Sequence, residues 1–289
     1  MPVGAEKLQK IHRPITDLFP RLDDRKRHEI SPEQIAFFRK NGYVKAGRVF
    51  DERQMAALRE GIEKVFRGEN PRVDELYEID EDWRTNPRKN IFHILGMWLI
   101  DETFHDVLWH PALTVKASQL LETPRVRFWH DQFFNKPPRH PGVVTWHQDY
   151  SYWTRSVPAR HVTANIVLDD ATLENGCLHY VPGSHTWGLV PKLSLTKDMD
   201  VVKGLLTPEQ LAAFKPEPMI SKAGECTFHH SHTMHGSFGN NSDIPRRSLV
   251  VNYMHPETRC ADGKNPLLYG VPVIEMGAVI EGDYFPILI

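Results

Sequence analysis

The chain has 289 residues, with 35 Lys and Arg against 37 Asp and Glu, so its net charge of −2 gives no global electrostatic reason to expect a nucleic-acid or anionic-membrane partner. A hydrophobic fraction of 40% beside 25% charge is that of a globular protein long enough for one large domain or two small ones. Three widely spaced cysteines, Cys177, Cys226 and Cys260, argue against a disulfide framework or a cysteine zinc site and favour a reducing compartment. The N-terminal stretch lacks an apolar core of signal-peptide length, and the apolar run 91–100 is broken by His93, so a cytoplasmic protein without a membrane span is expected. Of sixteen histidines, four fall within residues 229–235, a density that raises the expectation of metal chemistry.

Residues 1–30 are polar and mixed in charge and read as an arm that docks on the domain or is partly disordered. Ser31-Pro32-Glu33-Gln34 has capping-box order and predicts a helix to about Lys40, stopped by Asn41-Gly42. A strand over Tyr43–Val49 and a second helix capped by Asp51 follow; Met55, Leu58, Ile62, Val65 and Phe66 give that helix one apolar face. Residues 68–90, charged and carrying Pro71 and Pro87, read as a surface loop, and 91–121 as containing further helical material that ends in Val115–Leu121 with Glu122-Thr123-Pro124 as the stop. Residues 31–124 would thus form a helical support region. From Arg125 short apolar runs alternate with turns: 126–134, 143–152, 161–168, 177–181, 225–230 and 248–254. That spacing predicts an antiparallel sandwich or barrel, which a jelly roll satisfies. Residues 125–255 are its expected core, and 256–289 a C-terminal extension of the same single domain, 31–289. Between 186 and 219 the β pattern lapses, with a helix opened by Thr207-Pro208-Glu209-Gln210; a lid-like insertion or a cover for a sheet face fits equally.

The chemistry centres on Thr145-Trp146-His147-Gln148-Asp149. On an extended strand, side chains at i and i+2 point the same way, so His147 and Asp149 would hold one metal ion. One further histidine completes a 2-His-1-carboxylate triad, which favours non-haem Fe(II) with open positions. His229, His230, His232 and His235 compete for that place. Dioxygen activation at such an iron needs two electrons, which 2-oxoglutarate supplies when it chelates the metal, and its far carboxylate then calls for an arginine. The turn-rich string after His235 leads into Arg246-Arg247, and a hairpin there would lay the arginine strand beside the ligand strand. Arg246 lies eleven residues after His235, whereas the same step from His232, His230 or His229 reaches Asp243, Asn241 or Asn240. Strand parity turns Arg247 away from the pocket.

These residues resemble the phytanoyl-CoA dioxygenase family of Fe(II)/2-oxoglutarate oxygenases. The match rests on His147-Gln148-Asp149, His235-Gly236-Ser237 and Arg246, and extends through Ser31-Pro32-Glu33-Gln34, Asn135-Lys136-Pro137-Pro138, Asn175-Gly176-Cys177 and Pro182-Gly183-Ser184-His185. The resemblance implies a mainly β protein, a double-stranded β-helix (jelly roll, cupin-like) with N-terminal helices packed on its major sheet. It implies Fe(II), 2-oxoglutarate as co-substrate, O2 and supporting ascorbate, with decarboxylation to succinate and CO2 coupled to hydroxylation of an unactivated C–H bond in a small-molecule substrate. By position Ser237 and Gln132 line the co-substrate pocket. Asn165 stands where family members often carry tryptophan, a change that would admit a more polar substrate, and the Asp149 carboxylate argues for hydroxylation over halogenation. Desaturation, epoxidation or ring closure with the same cofactors, and a non-catalytic cupin-like metal-binding module, are the alternative readings.

Other residues have plainer roles. His179 and His185 read as supporting or turn residues, and His229, His230 and His232 as flanking positions on the ligand strand. Tyr150, Tyr152 and Trp153 form either a substrate wall or core. An acyl-CoA substrate would draw its phosphates to Arg125, Arg127, Arg139 and His140. Oligomeric state is not legible in the sequence.

Overall fold

The computed structural model describes residues 7–90, 92–192 and 198–289. Helix α1 (Pro32–Asn41) begins with a full capping box, Ser31 Oγ accepting from Gln34 N–H while the Gln34 side chain accepts from Ser31 N–H, and ends at Gly42 with φ 82°. Strand β1 (Tyr43–Arg48) and helix α2 (Glu52–Phe66) follow as expected, the latter capped reciprocally by Asp51 and Gln54. Residues 7–30 dock. The Asp106 carboxylate accepts from the backbone N–H of Ile15 and Thr16, and Leu8 and Phe19 are buried.

One expectation for the next stretch is corrected: residues 68–90 are not only loop, because they carry β2 (Glu78–Ile79) and the short helix α3 (Pro87–Asn90). Residues 91–121 hold the expected helical material as α4 (Glu102–Asp106) and α5 (Pro111–Leu120), preceded by β3 (His93–Leu95). Strands of two and three residues are too short to show a period, so tertiary pairing alone defines them. The remaining strands are β4 (Arg127–Lys136), β5 (Val144–His147), β6 (Ser156–Val157), β7 (His161–Val167) and β8 (Leu178–Tyr180). After helix α6 (Pro208–Ala213) come β9 (Glu217–Pro218), β10 (Glu225–His230), β11 (His235–Ser237), β12 (Arg246–Met254) and β13 (Arg259–Cys260).

Eleven of the strands form a major sheet of order β1-β10-β7-β12-β4-β3-β2 and a minor sheet of order β5-β11-β8-β9, while β6 and β13 pair separately, all pairs antiparallel. This is the double-stranded β-helix. Period-two alternation separates the two faces of the major sheet. Val162, Ala164 and Ile166 of β7, Cys226 and Phe228 of β10, and Leu249, Val251 and Tyr253 of β12 share one core with Met55, Leu58, Ile62 and Val65 of α2. The intervening residues, Thr163, Asn165, His229, Arg246, Ser248 and Val250, face inward and line a pocket between the sheets.

The expected hairpin between the ligand strand and the arginine strand is also corrected. β11 pairs with β5 and β8 in the minor sheet, while β12 pairs with β4 and β7 in the major one. The connection crosses the barrel, and Asn240 anchors it by donating to the carbonyls of Lys136, Pro137 and Ile244. A turn-rich string carries no mark that tells a crossing from a hairpin, since both need the same residues.

Of the segment 186–219, residues 193–197 lie outside the described residues, so the lid reading is not addressed there. The rest packs on the minor sheet: Val190, Val202 and Leu206 cluster with Trp146, Val181 and Met234.

Gly176 marks a place where the backbone tolerates no side chain. Its φ is +77°, and a Cβ there would sit 2.3 Å from the Phe238 carbonyl oxygen. Gly176→Ala is therefore expected to destabilise the fold by more than the roughly 1–3 kcal/mol of a strained backbone position. Gly188→Ala, with φ +81° and nothing within 4 Å, should cost only the conformational part. Chemical denaturation of the two variants checks the difference.

Candidate metal and co-substrate site

β5 and β11 pair with His147 directly opposite His235. The two rings lie 4.2 Å apart between centroids. Asp149 arrives as expected: Gln148, between it and His147, is extended, so the two side chains share one face. β5 itself ends at His147, and Asp149 opens a 3-10 turn (Asp149–Tyr152) that is pinned where Tyr150 N–H donates to the Ser231 carbonyl. His147 Nε2 and His235 Nε2 each stand 3.5 Å from Asp149 Oδ1, and the three ligand atoms lie within 4.8 Å of one another.

Each imidazole is oriented through its other nitrogen. His147 Nδ1 is 2.8 Å from the Thr145 carbonyl and His235 Nδ1 is 2.9 Å from that of Thr233. A carbonyl only accepts, so Nδ1 carries the hydrogen and Nε2 presents its lone pair. Two lone pairs thus face a carboxylate oxygen. That arrangement repels itself unless a cation enters, and its donor set suits Fe(II).

The other carboxylate oxygen is held from behind. Asp149 Oδ2 lies 2.8 Å from His229 Nε2 and 2.9 Å from the Thr163 hydroxyl. Tyr180 OH lies 2.9 Å from His229 Nδ1, and donation from that hydroxyl leaves Nε2–H to donate to Asp149. Burial alone would raise the Asp149 carboxyl, but its histidine surroundings outweigh burial, His229 by donating a hydrogen bond, and hold the group well below the usual carboxylate range. Burial keeps His235 neutral. These are the protonation states metal binding requires.

His229 is the residue that sequence reading missed. It does not flank the ligand strand but sits on β10 of the opposite sheet, facing inward because Cys226 and Phe228 face out. The alternation of β10 was the available signal. His230 and His232 stay outside the site, the latter stacked on Tyr150. His179 bonds the Cys177 carbonyl and His185 that of Arg39, as supporting residues do.

Behind the triad an inner pocket is lined by Gln132, Asn165, Ser237 and Arg246, so all seven residues picked from the sequence come together. Arg246 is 5% exposed and forms no ion pair with a carboxylate among the described residues. It donates to Ser248 Oγ, the Gly176 carbonyl and Ser237 Oγ, while its buried Nε has no partner. Burial pulls its pKa down to about 10, so it stays charged at neutral pH. A solitary buried guanidinium with an orphaned donor fits an incoming carboxylate. Gln132 is bonded to His93 Nε2 at 3.0 Å through its amide oxygen. Arg247 points the other way, onto Asp169 and Glu63.

An outer cavity of about 610 Å³ opens over His147 and Asp149. Its walls are aromatic, with Phe92, Trp129, Phe134, Tyr152 and Trp153, and Leu267 and Leu268 of the C-terminal extension close one side. Tyr152 and Trp153 therefore form a wall, whereas the Tyr150 hydroxyl is spent on the Ser156 carbonyl. None of the residues that an acyl-CoA's phosphates would draw on lines this cavity. Arg127 bonds the Phe285 carbonyl, Arg139 pairs with Asp243, His140 stacks on Phe92, and the cavity's cations are Arg155 and Lys192.

An open two-histidine, one-carboxylate centre backed by a buried arginine, inside a double-stranded β-helix, is what an Fe(II)/2-oxoglutarate-dependent dioxygenase requires. The chain belongs to the phytanoyl-CoA dioxygenase (PhyH) family, whose sequence profile matches residues 38–248. Ectoine dioxygenase of Bordetella bronchiseptica is 28% identical over 261 residues, covering 84% of this chain and 80% of the relative. Among solved structures, the non-heme alpha ketoglutarate dependent carbocyclase SnoK from nogalamycin biosynthesis shares the fold with a TM-score of 0.71 at 24% identity, over 90% of this chain and 97% of its own. EctD from S. alaskensis, solved with 2-oxoglutarate and 5-hydroxyectoine, shares it with a TM-score of 0.67 at 22% identity, over 84% and 85%. The protein is thus an Fe(II)/2-oxoglutarate-dependent dioxygenase with a small-molecule substrate.

The geometry makes the two kinds of histidine separable. His235→Ala should abolish tight metal binding. His229→Ala should leave the ligands in place but weaken metal affinity roughly 10- to 100-fold, as loss of a supporting partner does. Anaerobic titration with Fe(II) or Mn(II), read by calorimetry, checks both.

Proposed function

We propose that the enzyme hydroxylates an unactivated C–H bond of a ring-bearing organic molecule held in the outer cavity. In this reading His147, Asp149 and His235 hold the iron, Arg246 and Ser237 bind the far carboxylate of 2-oxoglutarate, and Gln132 and Asn165 border it. The observation that carries the reading is the pair of Nε2 lone pairs converging on a carboxylate, with an unpaired buried guanidinium behind them. Iron with 2-oxoglutarate supplies, when bound, the oxidation of a C–H bond by O2 that no side chain here can perform. The protein's own part is to orient the reactants and exclude water. His229 and Thr163 fix the Asp149 carboxylate, His93 fixes the Gln132 amide, and the aromatic walls desolvate the substrate.

The cavity volume lies within the roughly 300–1,000 Å³ of pockets that enclose drug-sized ligands, and aromatic faces on several sides suit an apolar ring system. Asn165 adds a polar group beside the co-substrate. A non-catalytic metal-binding module is the weaker reading, since it offers no reason to bury Arg246 without an anion. Desaturation, epoxidation and ring closure use the same site, and no residue here selects them over hydroxylation. The cytoplasm is the compartment we assign, on three unpaired, buried thiols. Among the described residues no helix is long and apolar enough to cross a membrane.

Incubation with Fe(II), ascorbate, O2 and 2-oxoglutarate should yield succinate, stimulated by an apolar ring-bearing substrate. Arg246→Met should raise the KM for 2-oxoglutarate roughly 10- to 100-fold, the loss of about 1.5–3 kcal/mol of charged hydrogen bonding. An iron-loaded protein that binds no 2-oxoglutarate and forms no succinate contradicts the reading.

A further inference from the structure

Lys136 is a charged side chain that the oxygenase reading leaves without a task. It is fully buried, at 0% exposure, at the end of β4, and the sheet register sets it opposite Arg246 on β12. Both cations meet on one atom. Lys136 Nζ lies 2.7 Å from Ser237 Oγ and 3.2 Å from the Ser237 carbonyl, and it also bonds the Phe238 carbonyl. Arg246 Nη2 lies 3.3 Å from the same Oγ. Among the described residues neither cation forms an ion pair with a carboxylate. Two like charges side by side in a dry interior are unfavourable until an anion joins them.

A serine hydroxyl has one proton and two lone pairs. When Lys136 is an ammonium, it and Arg246 both donate to Ser237 Oγ, the lone pairs are taken, and the hydroxyl proton is free to point into the pocket. A neutral amine behaves oppositely. Its two N–H groups satisfy the carbonyls of Ser237 and Phe238, its lone pair takes the Ser237 proton, and the pocket loses a donor.

We propose that Lys136 is the positioning residue of the co-substrate pocket, its ammonium form aiming the Ser237 hydroxyl at the far carboxylate of 2-oxoglutarate, so that binding this dianion takes up one proton. The inference rests on the reading of the Arg246 pocket given above. The proton passes from buffer to Nζ, and no other bond changes. Burial, with Arg246 beside it, already pushes the free amine down to about 6. The other titratable groups facing it are Cys177, whose thiol burial pushes up, and His140 and His179, whose imidazoles burial pushes down. Arg246 is therefore the charged neighbour near neutral pH, and the Phe92 ring, 5.9 Å from Nζ, adds no charge. An arriving carboxylate raises the pKa of the amine. Between the free and bound values the affinity for 2-oxoglutarate should fall up to tenfold per pH unit as pH rises.

Calorimetric titration of 2-oxoglutarate into the Mn(II)-loaded protein at pH 7.5, in phosphate and in Tris, reads the proton count directly. The expected result is uptake approaching one proton for the wild type and near zero for Lys136→Met, with Kd raised at least tenfold. In a double-mutant cycle Lys136→Met should add little to Ser237→Ala, because it acts through that hydroxyl. Wild-type binding without proton uptake, or a Lys136→Met variant with unchanged Kd and proton count, overturns the inference and leaves the oxygenase reading intact. Absence of 2-oxoglutarate binding by the wild type overturns both. Should Lys136→Met fail to fold, the wild-type proton count and the slope of Kd with pH decide alone.

Discussion

Two imidazole nitrogens and a carboxylate oxygen, all electron-pair donors, are held within 4.8 Å of one another. Left to themselves such atoms would turn apart or recruit protons. They do neither because each is fastened from behind: His147 by the Thr145 carbonyl, His235 by the Thr233 carbonyl, Asp149 by His229 and Thr163. The repulsion is stored by the surrounding fold and relieved by a cation, which is how a scaffold stays pre-organised for metal before metal arrives. The same logic recurs behind the triad with the sign reversed. Arg246 and the Lys136 amine, which gains its charge as the co-substrate arrives, are fastened by carbonyls and hydroxyls instead of carboxylates. The site sets a carboxylate opposite a buried guanidinium and a protonatable amine, with room for a metal and a dicarboxylate between them.

The jelly roll makes this possible through alternation. Each long strand of the major sheet gives its apolar residues to the layer shared with α2 and its polar residues to the barrel interior. Inward polar groups from β7, β10 and β12 therefore accumulate opposite the short minor sheet, which delivers His147 and His235 in register. Placing β11 and β12 in different sheets matters for function. A hairpin would have set Arg246 beside His235, whereas the crossing sets it across the barrel, leaving a gap for the co-substrate.

Much of this was legible in the residues. The capping boxes at Ser31 and Asp51 located α1 and α2, since satisfying helix-end donors is a local matter. The triad and Arg246 were legible because metal and carboxylate chemistry restrict which side chains can serve, and the eleven-residue step singled out His235. Features that depend on tertiary pairing were not. β2 and β3 are too short to carry a period, and the turn that follows His147-Gln148 is fixed by a bond to Ser231 on a distant segment. His229 and Lys136 were passed over for a related reason. Their roles lie in the partner opposite them, Asp149 in one case and Arg246 with Ser237 in the other, and register is not written in a single strand.

The central claim is that one iron sits among His147, Asp149 and His235. Anomalous diffraction at the iron edge from crystals grown anaerobically with Fe(II) and 2-oxoglutarate tests it most directly. A single strong peak is expected between the two Nε2 atoms and Asp149 Oδ1, with the co-substrate's far carboxylate at Arg246. A peak among His185, His230 and His232 instead, or a co-substrate turned away from Arg246, would contradict it.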